Sequence, residues 1–68
     1  MLLIDFLGVL YGETPIEIHI DYDPVYIGTA ESVPADKFSN SRVKEAYIEI
    51  DGKTLIVSIF GQRNVKKK

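Results

Sequence analysis

Two runs rich in β-branched and aromatic residues, 43–50 and 53–60, are separated by the dipeptide Asp51-Gly52. Asp-Gly between strand-like runs is the strongest short-range signal for a β-hairpin, because a two-residue type I′ turn needs positive φ at both central positions. A turn at that place sets a register, and the register can be tested against the apolar pattern. It pairs Ile50 with Lys53, Ile48 with Leu55, Ala46 with Val57 and Lys44 with Ile59 on one face. The other face receives Glu49 with Thr54, Tyr47 with Ile56, Glu45 with Ser58 and Val43 with Phe60. One face is nearly all apolar and the other mixed, which is the pattern of a sheet covered on one side.

A second hairpin precedes it. Over residues 16–22, Ile16, Ile18, Ile20 and Tyr22 alternate with Glu17, His19 and Asp21, so this is a half-buried strand of period two. Asp23-Pro24 carries turn chemistry, and residues 25–30 return as a short strand with Ile27 opposite Tyr22 on the core face. Residues 2–11 read as a helix, because Leu3, Phe6, Leu7 and Leu10 share one helical face. Gly12 then Pro15 supply its stop. Leu2, Ile4 and Val9 fall off that stripe, so the helix is either covered on two sides or part of it is a contact surface. The link 31–41 is the loosest segment, with Pro34 opening a short helix and Phe38 anchoring it in the core.

These pieces define an α+β domain: an N-terminal helix packed on a four-stranded antiparallel sheet made of two β-hairpins, joined by a short helical crossover. A small, strongly curled, barrel-like sheet is the alternative. With only 68 residues the chain buries roughly 60% of the surface its unfolded form exposes, so most apolar side chains are committed to one core. Residues 1–62 form that single domain and 63–68 a basic, flexible tail.

Charge is divided along the chain. Residues 1–36 hold seven acids and no Lys or Arg, whereas 37–68 hold all eight bases and three acids. Four of those bases, Arg63, Lys66, Lys67 and Lys68, lie in the last six residues. The formal net charge of −2 therefore hides an acidic body with a basic end. The acidic body argues against nucleic acid as the main ligand, although the tail could add a salt-sensitive attraction to phosphates.

Several classes of chemistry are excluded or find no support. The chain has no cysteine, which removes disulfides and thiolate-ligated metals. No basic residue precedes the apolar opening and Asp5 interrupts it, so no secretory signal is expected and the cytoplasm is the expected compartment. His19 is the only histidine; on its strand it is either a surface residue or a pH-sensitive contact flanked by Glu17 and Asp21. Ser58 and the other serines lack a nucleophile elbow. Asp21-Tyr22-Asp23 opens like a calcium loop but continues with Val25, Tyr26 and Ser32 where ligands and glycine are required. There is no phosphate-binding glycine loop. No catalytic residue, metal or cofactor is expected, and the chain reads as a non-enzymatic protein.

What remains is a surface. The face opposite the core presents Glu17, His19 and Asp21 from one strand and Glu45, Tyr47 and Glu49 from another, with Tyr26, Ile56 and Phe60 interleaved. Alternate residues on a strand stand about 6.6 Å apart, so the carboxylates form rows of negative charge. Rows of acids with exposed tyrosines suit a protein partner that carries a basic, nucleic-acid-binding surface. The plainer reading is a sheet face kept soluble by its charges. Two further possibilities are a nucleic-acid-associated regulator using the tail and a self-assembling module, a homodimer through the apolar opening helix.

The order of elements resembles small accessory proteins carried by phages and prophages of Gram-positive bacteria. The matching pieces are the Leu-rich opening from Leu2 to Leu10, the hairpin from Ile16 to Thr29 ending in Gly28-Thr29, the Val33-Pro34 crossover, and the closing hairpin from Tyr47 to Phe60. The resemblance implies a non-enzymatic protein that binds and blocks a host or competitor macromolecule, inhibitors of CRISPR and other bacterial defence systems included.

Overall fold

The computed structural model describes residues 1–61. The tail assigned to 63–68 lies outside the described residues. Helix α1 covers Leu3–Leu7, followed by strands β1 (Pro15–Ile20) and β2 (Asp23–Thr29), 3₁₀ turns at Ala30–Ser32 and Ala35–Phe38, then β3 (Val43–Ile48) and β4 (Leu55–Ile59). The fold is α+β, with a short N-terminal helix on a four-stranded sheet of order β2-β1-β4-β3.

The sheet is mixed, which corrects the expectation of an antiparallel one. Each hairpin is antiparallel, but β1 and β4 meet in parallel at the centre, with Ile16 beside Leu55 and Ile18 beside Val57. The cause lies in the crossover 30–42. A connection of roughly a dozen residues can traverse the sheet and start the second hairpin from the opposite end. It is held against the sheet as it crosses, because Ala30 and Phe38 are both buried in the core. Phe38 is thus the anchor its sequence position indicated.

The core lies on one side of the sheet, where Leu3, Ile16, Ile18, Ala30, Phe38, Val57 and Ile59 form one buried cluster. Phe6, Leu7 and Leu10, the rest of the helical stripe, pack against it. The helix is shorter than 2–11. It ends at Leu7 with Gly8 as its cap, and only tight i→i−3 bonds from Val9 to Phe6 and from Leu10 to Leu7 continue it. The following segment is drawn instead to the crossover, through Ala30 N–H to Thr14 C=O at 2.9 Å and Glu31 N–H to Gly12 C=O at 2.9 Å. At the other end, Leu2 bridges Arg42 and Val43 N–H donates to Met1 C=O at 2.9 Å, which ties the N-terminus to the start of β3.

Both turns differ from their sequence reading. In the first hairpin the tight turn is Asp21-Tyr22, with φ of 53° and 69°, and Ile20 pairs with Asp23. Pro24 sits within β2, an edge strand where a missing N–H is tolerated. This placement flips the faces. Tyr22 is 91% exposed rather than in the core, and Ile27 is 69% exposed. Tyr26 pairs with Ile18 and takes the core side, its hydroxyl donating to Thr29 C=O at 2.8 Å. The ring folds back over Gly28, where a Cβ would meet the Tyr26 hydroxyl at 2.6 Å.

In the second hairpin Asp51-Gly52 does form the turn, but in a four-residue loop rather than a two-residue one. Glu49 N–H donates to Thr54 C=O at 2.7 Å and Gly52 N–H to Glu49 C=O at 2.8 Å, and only Gly52 has positive φ, +75°. Asp51 closes the loop with its side chain, accepting from Lys53 N–H, Thr54 N–H and the Thr54 hydroxyl at 2.8–2.9 Å. Ile50 is left fully exposed, so the Ile50–Lys53 pair is not made. The pairs Ile48–Leu55, Ala46–Val57, Tyr47–Ile56 and Glu45–Ser58 all form. A bulge then replaces Lys44–Ile59 with Val43–Ile59, and Arg42 rather than Val43 meets Phe60, accepting its N–H at 3.1 Å. The bulge has a clear benefit: it spares a lysine from the core side and seats Val43 there, while Lys44 places its Nζ 6.0 Å from the centre of the Phe60 ring.

Candidate interaction face

Helix α1 and both 3₁₀ turns contribute their buried residues to one side of the sheet. The opposite side has no covering element among the described residues. Ladder partners share a face, so two rows can be traced across it. The first runs Ile27, Glu17, Ile56, Tyr47, and the second Pro24, His19, Ser58, Glu45. Rows are about 6.6 Å apart and strands about 4.8 Å.

Of the seven residues anticipated as partner-binding, four lie together on this face: Glu17 and His19 on β1, Glu45 and Tyr47 on β3. Glu49 continues the β3 alternation just past the strand end, beside Thr54. Asp21 is not on a strand face at all but in the tight turn, exposed at the tip of the first hairpin. Tyr26 is on the wrong side, facing the core, for the register reason already given. Placing the turn at Asp23-Pro24 produced both misassignments, since a change of register by one residue inverts every side chain.

Glu17 and His19 interact directly, His19 Nε2 lying 3.0 Å from Glu17 Oε1. A carboxylate only accepts, so Nε2 carries the proton in this bond. Both side chains are largely shielded, at 17% exposure for His19 and 25% for Glu17. Ser58 stands next to His19 across the parallel ladder, but the bond that His19 makes is to Glu17. Ile56 is 3% exposed yet belongs to this face rather than to the helix-side cluster. Around it lie exposed apolar groups, Tyr47 at 49% and Ile27 at 69%, with Phe60 at 54% beyond.

Two residues of this surface were not singled out from the sequence. The sequence pattern puts Ile27 in the core and Lys44 opposite Ile59, whereas Ile27 pairs with Glu17 and Val43 takes the place opposite Ile59. The only available signal for Lys44 was the cost of burying a lysine, which a bulge relieves. Elsewhere, the apolar helix leaves less contact surface than its sequence implied: Leu3 is buried, and the exposed groups, Val9 and Tyr11, follow its end. A wide, open depression lined by Tyr11, Glu13, Thr14 and Glu31 contains none of the anticipated residues. No grouping of three or more His, Cys, Asp or Glu positioned to hold a metal occurs among the described residues, and no helix among them is long and apolar enough to cross a membrane.

Comparison with protein-family models, curated proteins and solved structures finds no match for this chain.

Proposed function

We propose that this chain is a non-enzymatic binding protein of the cytoplasm that docks its open sheet face on a basic surface of a partner protein and thereby blocks it. The reading rests on one observation: the uncovered face combines Glu17, Glu45 and Glu49 with the exposed apolar groups Tyr47, Ile27 and Phe60. Carboxylates steer a cationic surface into place, while tyrosine and aliphatic side chains supply the area that is desolvated on contact. In its sharpest form the protein is an inhibitor of a nucleic-acid-binding defence protein, a version that rests on the resemblance of its sequence to small phage accessory proteins.

The test is a triple charge reversal, Glu17→Lys, Glu45→Lys and Glu49→Lys, compared with Asp36→Lys on the crossover. Each is used as bait in bacterial lysate treated with nuclease, and folding is checked by circular dichroism. The reading requires a stoichiometric protein partner that is retained by the native chain and by the Asp36 variant, and lost by the folded triple variant. Equal retention by all three would remove the acidic face from the account.

A further inference from the structure

The two edges of the sheet are not equivalent. The β2 edge carries Pro24 and an extra residue, Val25, that breaks the ladder, both devices that prevent another strand from adding. The β3 edge is closed at its start only, where Met1 C=O accepts the Val43 N–H and Leu2 bridges Arg42. From Glu45 to Ile48 it has neither proline nor bulge. Glu49 N–H donates to Thr54 C=O, which immediately precedes β4, so the two-residue alternation turns the backbone groups of Ala46 and Ile48 toward the open side.

We infer that β3 receives an extended, cationic segment of the partner protein as a fifth strand, pairing with Ala46 and Ile48. This rests on the proposed docking on a basic partner and specifies how that partner is held. The side chains flanking the edge state its chemistry. Glu45 and Glu49 flank Tyr47 on the outer face, which calls for lysine or arginine there. On the other face Ala46 and Ile48 are both exposed, Ile48 at 58%, a ledge for apolar residues at the alternate positions.

A second copy of this chain fits the edge poorly. Pairing Ala46 of one copy with Ile48 of the other sets Glu45 opposite Glu49 twice, a like-charge pairing that is destabilising. Centring the pairing on Ala46 instead brings Glu49 of the second copy against Val43, where Met1 already sits. Charge and occupancy therefore favour a basic strand from a different protein.

The experiment uses ¹⁵N-labelled full-length chain and the alternating peptide Lys-Val-Lys-Val-Lys, capped at both ends. Controls are Glu-Val-Glu-Val-Glu and the basic peptide N-methylated at alternate residues, which keeps charge and side chains but cannot pair along an edge. The expected result is slowed hydrogen exchange at Ala46 and Ile48 on adding the basic peptide, and no effect of the acidic one. N-methylation removes at least two hydrogen bonds and weakens binding about tenfold or more. Equal binding of the methylated peptide, with shifts at Glu17 and His19 but no protection of Ala46 and Ile48, would overturn the edge and leave the acidic face standing. No binding of the basic peptide overturns the edge, and protection of Ala46 that rises with protein concentration alone assigns it to a second copy instead.

Discussion

The turn at Asp21-Tyr22 stores strain that can be measured. Tyr22 has φ of +69° with a side chain 91% exposed, so nothing on the inside of the molecule requires the tyrosine. A non-glycine residue in the left-handed region costs roughly 1–2 kcal/mol. Tyr22→Gly removes that strain but introduces a more flexible residue in the unfolded chain, at about 0.5–1 kcal/mol. With almost no buried area lost, the net gain is about 0.5–1 kcal/mol, which for a domain of this size raises Tm by about 2–8 °C. Tyr22→Ala is the control, because it deletes the ring and keeps the strained Cβ. Thermal and urea unfolding of the three proteins read the outcome. The glycine variant must be the most stable, with the alanine variant near the native chain. A glycine variant no more stable than the alanine variant would refute the strain argument.

Two further outcomes follow from the core and the second turn. Ile18 is completely buried at the centre of the sheet, so Ile18→Ala costs roughly 2–5 kcal/mol, comparable to the whole stability of a domain this small, and leaves the chain largely unfolded by circular dichroism. The Asp51 carboxylate titrates below the usual aspartate range because Thr54 N–H, then Lys53 N–H and the Thr54 hydroxyl, bond its charged form. Its contribution to stability is therefore fully present above the ordinary aspartate pKa and lost as pH falls through the depressed value, and Asp51→Asn flattens that acid limb in pH-dependent unfolding.

The hairpins and the helical stripe were legible because period-two and helical alternation report directly on burial: Ile16 and Ile18 on β1, and Leu3 with Phe6 and Leu7 on α1, face the core as their spacing demands. Four cross-strand pairs of the second hairpin were readable for the same reason, since Asp51-Gly52 fixes the neighbourhood of the turn. Asp23-Pro24 misled because proline is as acceptable on an edge strand as in a turn, and no local signal marked β2 as an edge. One misplaced turn then sent Tyr26 and Ile27 to the wrong faces. The parallel contact of β1 with β4 left no trace in either strand, because it depends on the route of the crossover rather than on alternation. Four site residues, Glu17, His19, Glu45 and Tyr47, share one face because the alternation gives both of their strands the right inner face, Ile18 of β1 and Ala46 of β3 each pairing with Val57 of β4.

Occlusion of a basic, nucleic-acid-binding surface by the acidic sheet face, as proposed above, requires that nucleic acid and this chain compete for the partner. The most direct measurement is fluorescence anisotropy of a labelled oligonucleotide bound to the captured partner, titrated with this protein. The expected result is stoichiometric displacement of the oligonucleotide by the native chain and none by the Glu17, Glu45 and Glu49 charge-reversal variant. A ternary complex in which the oligonucleotide stays bound at saturating protein would contradict it.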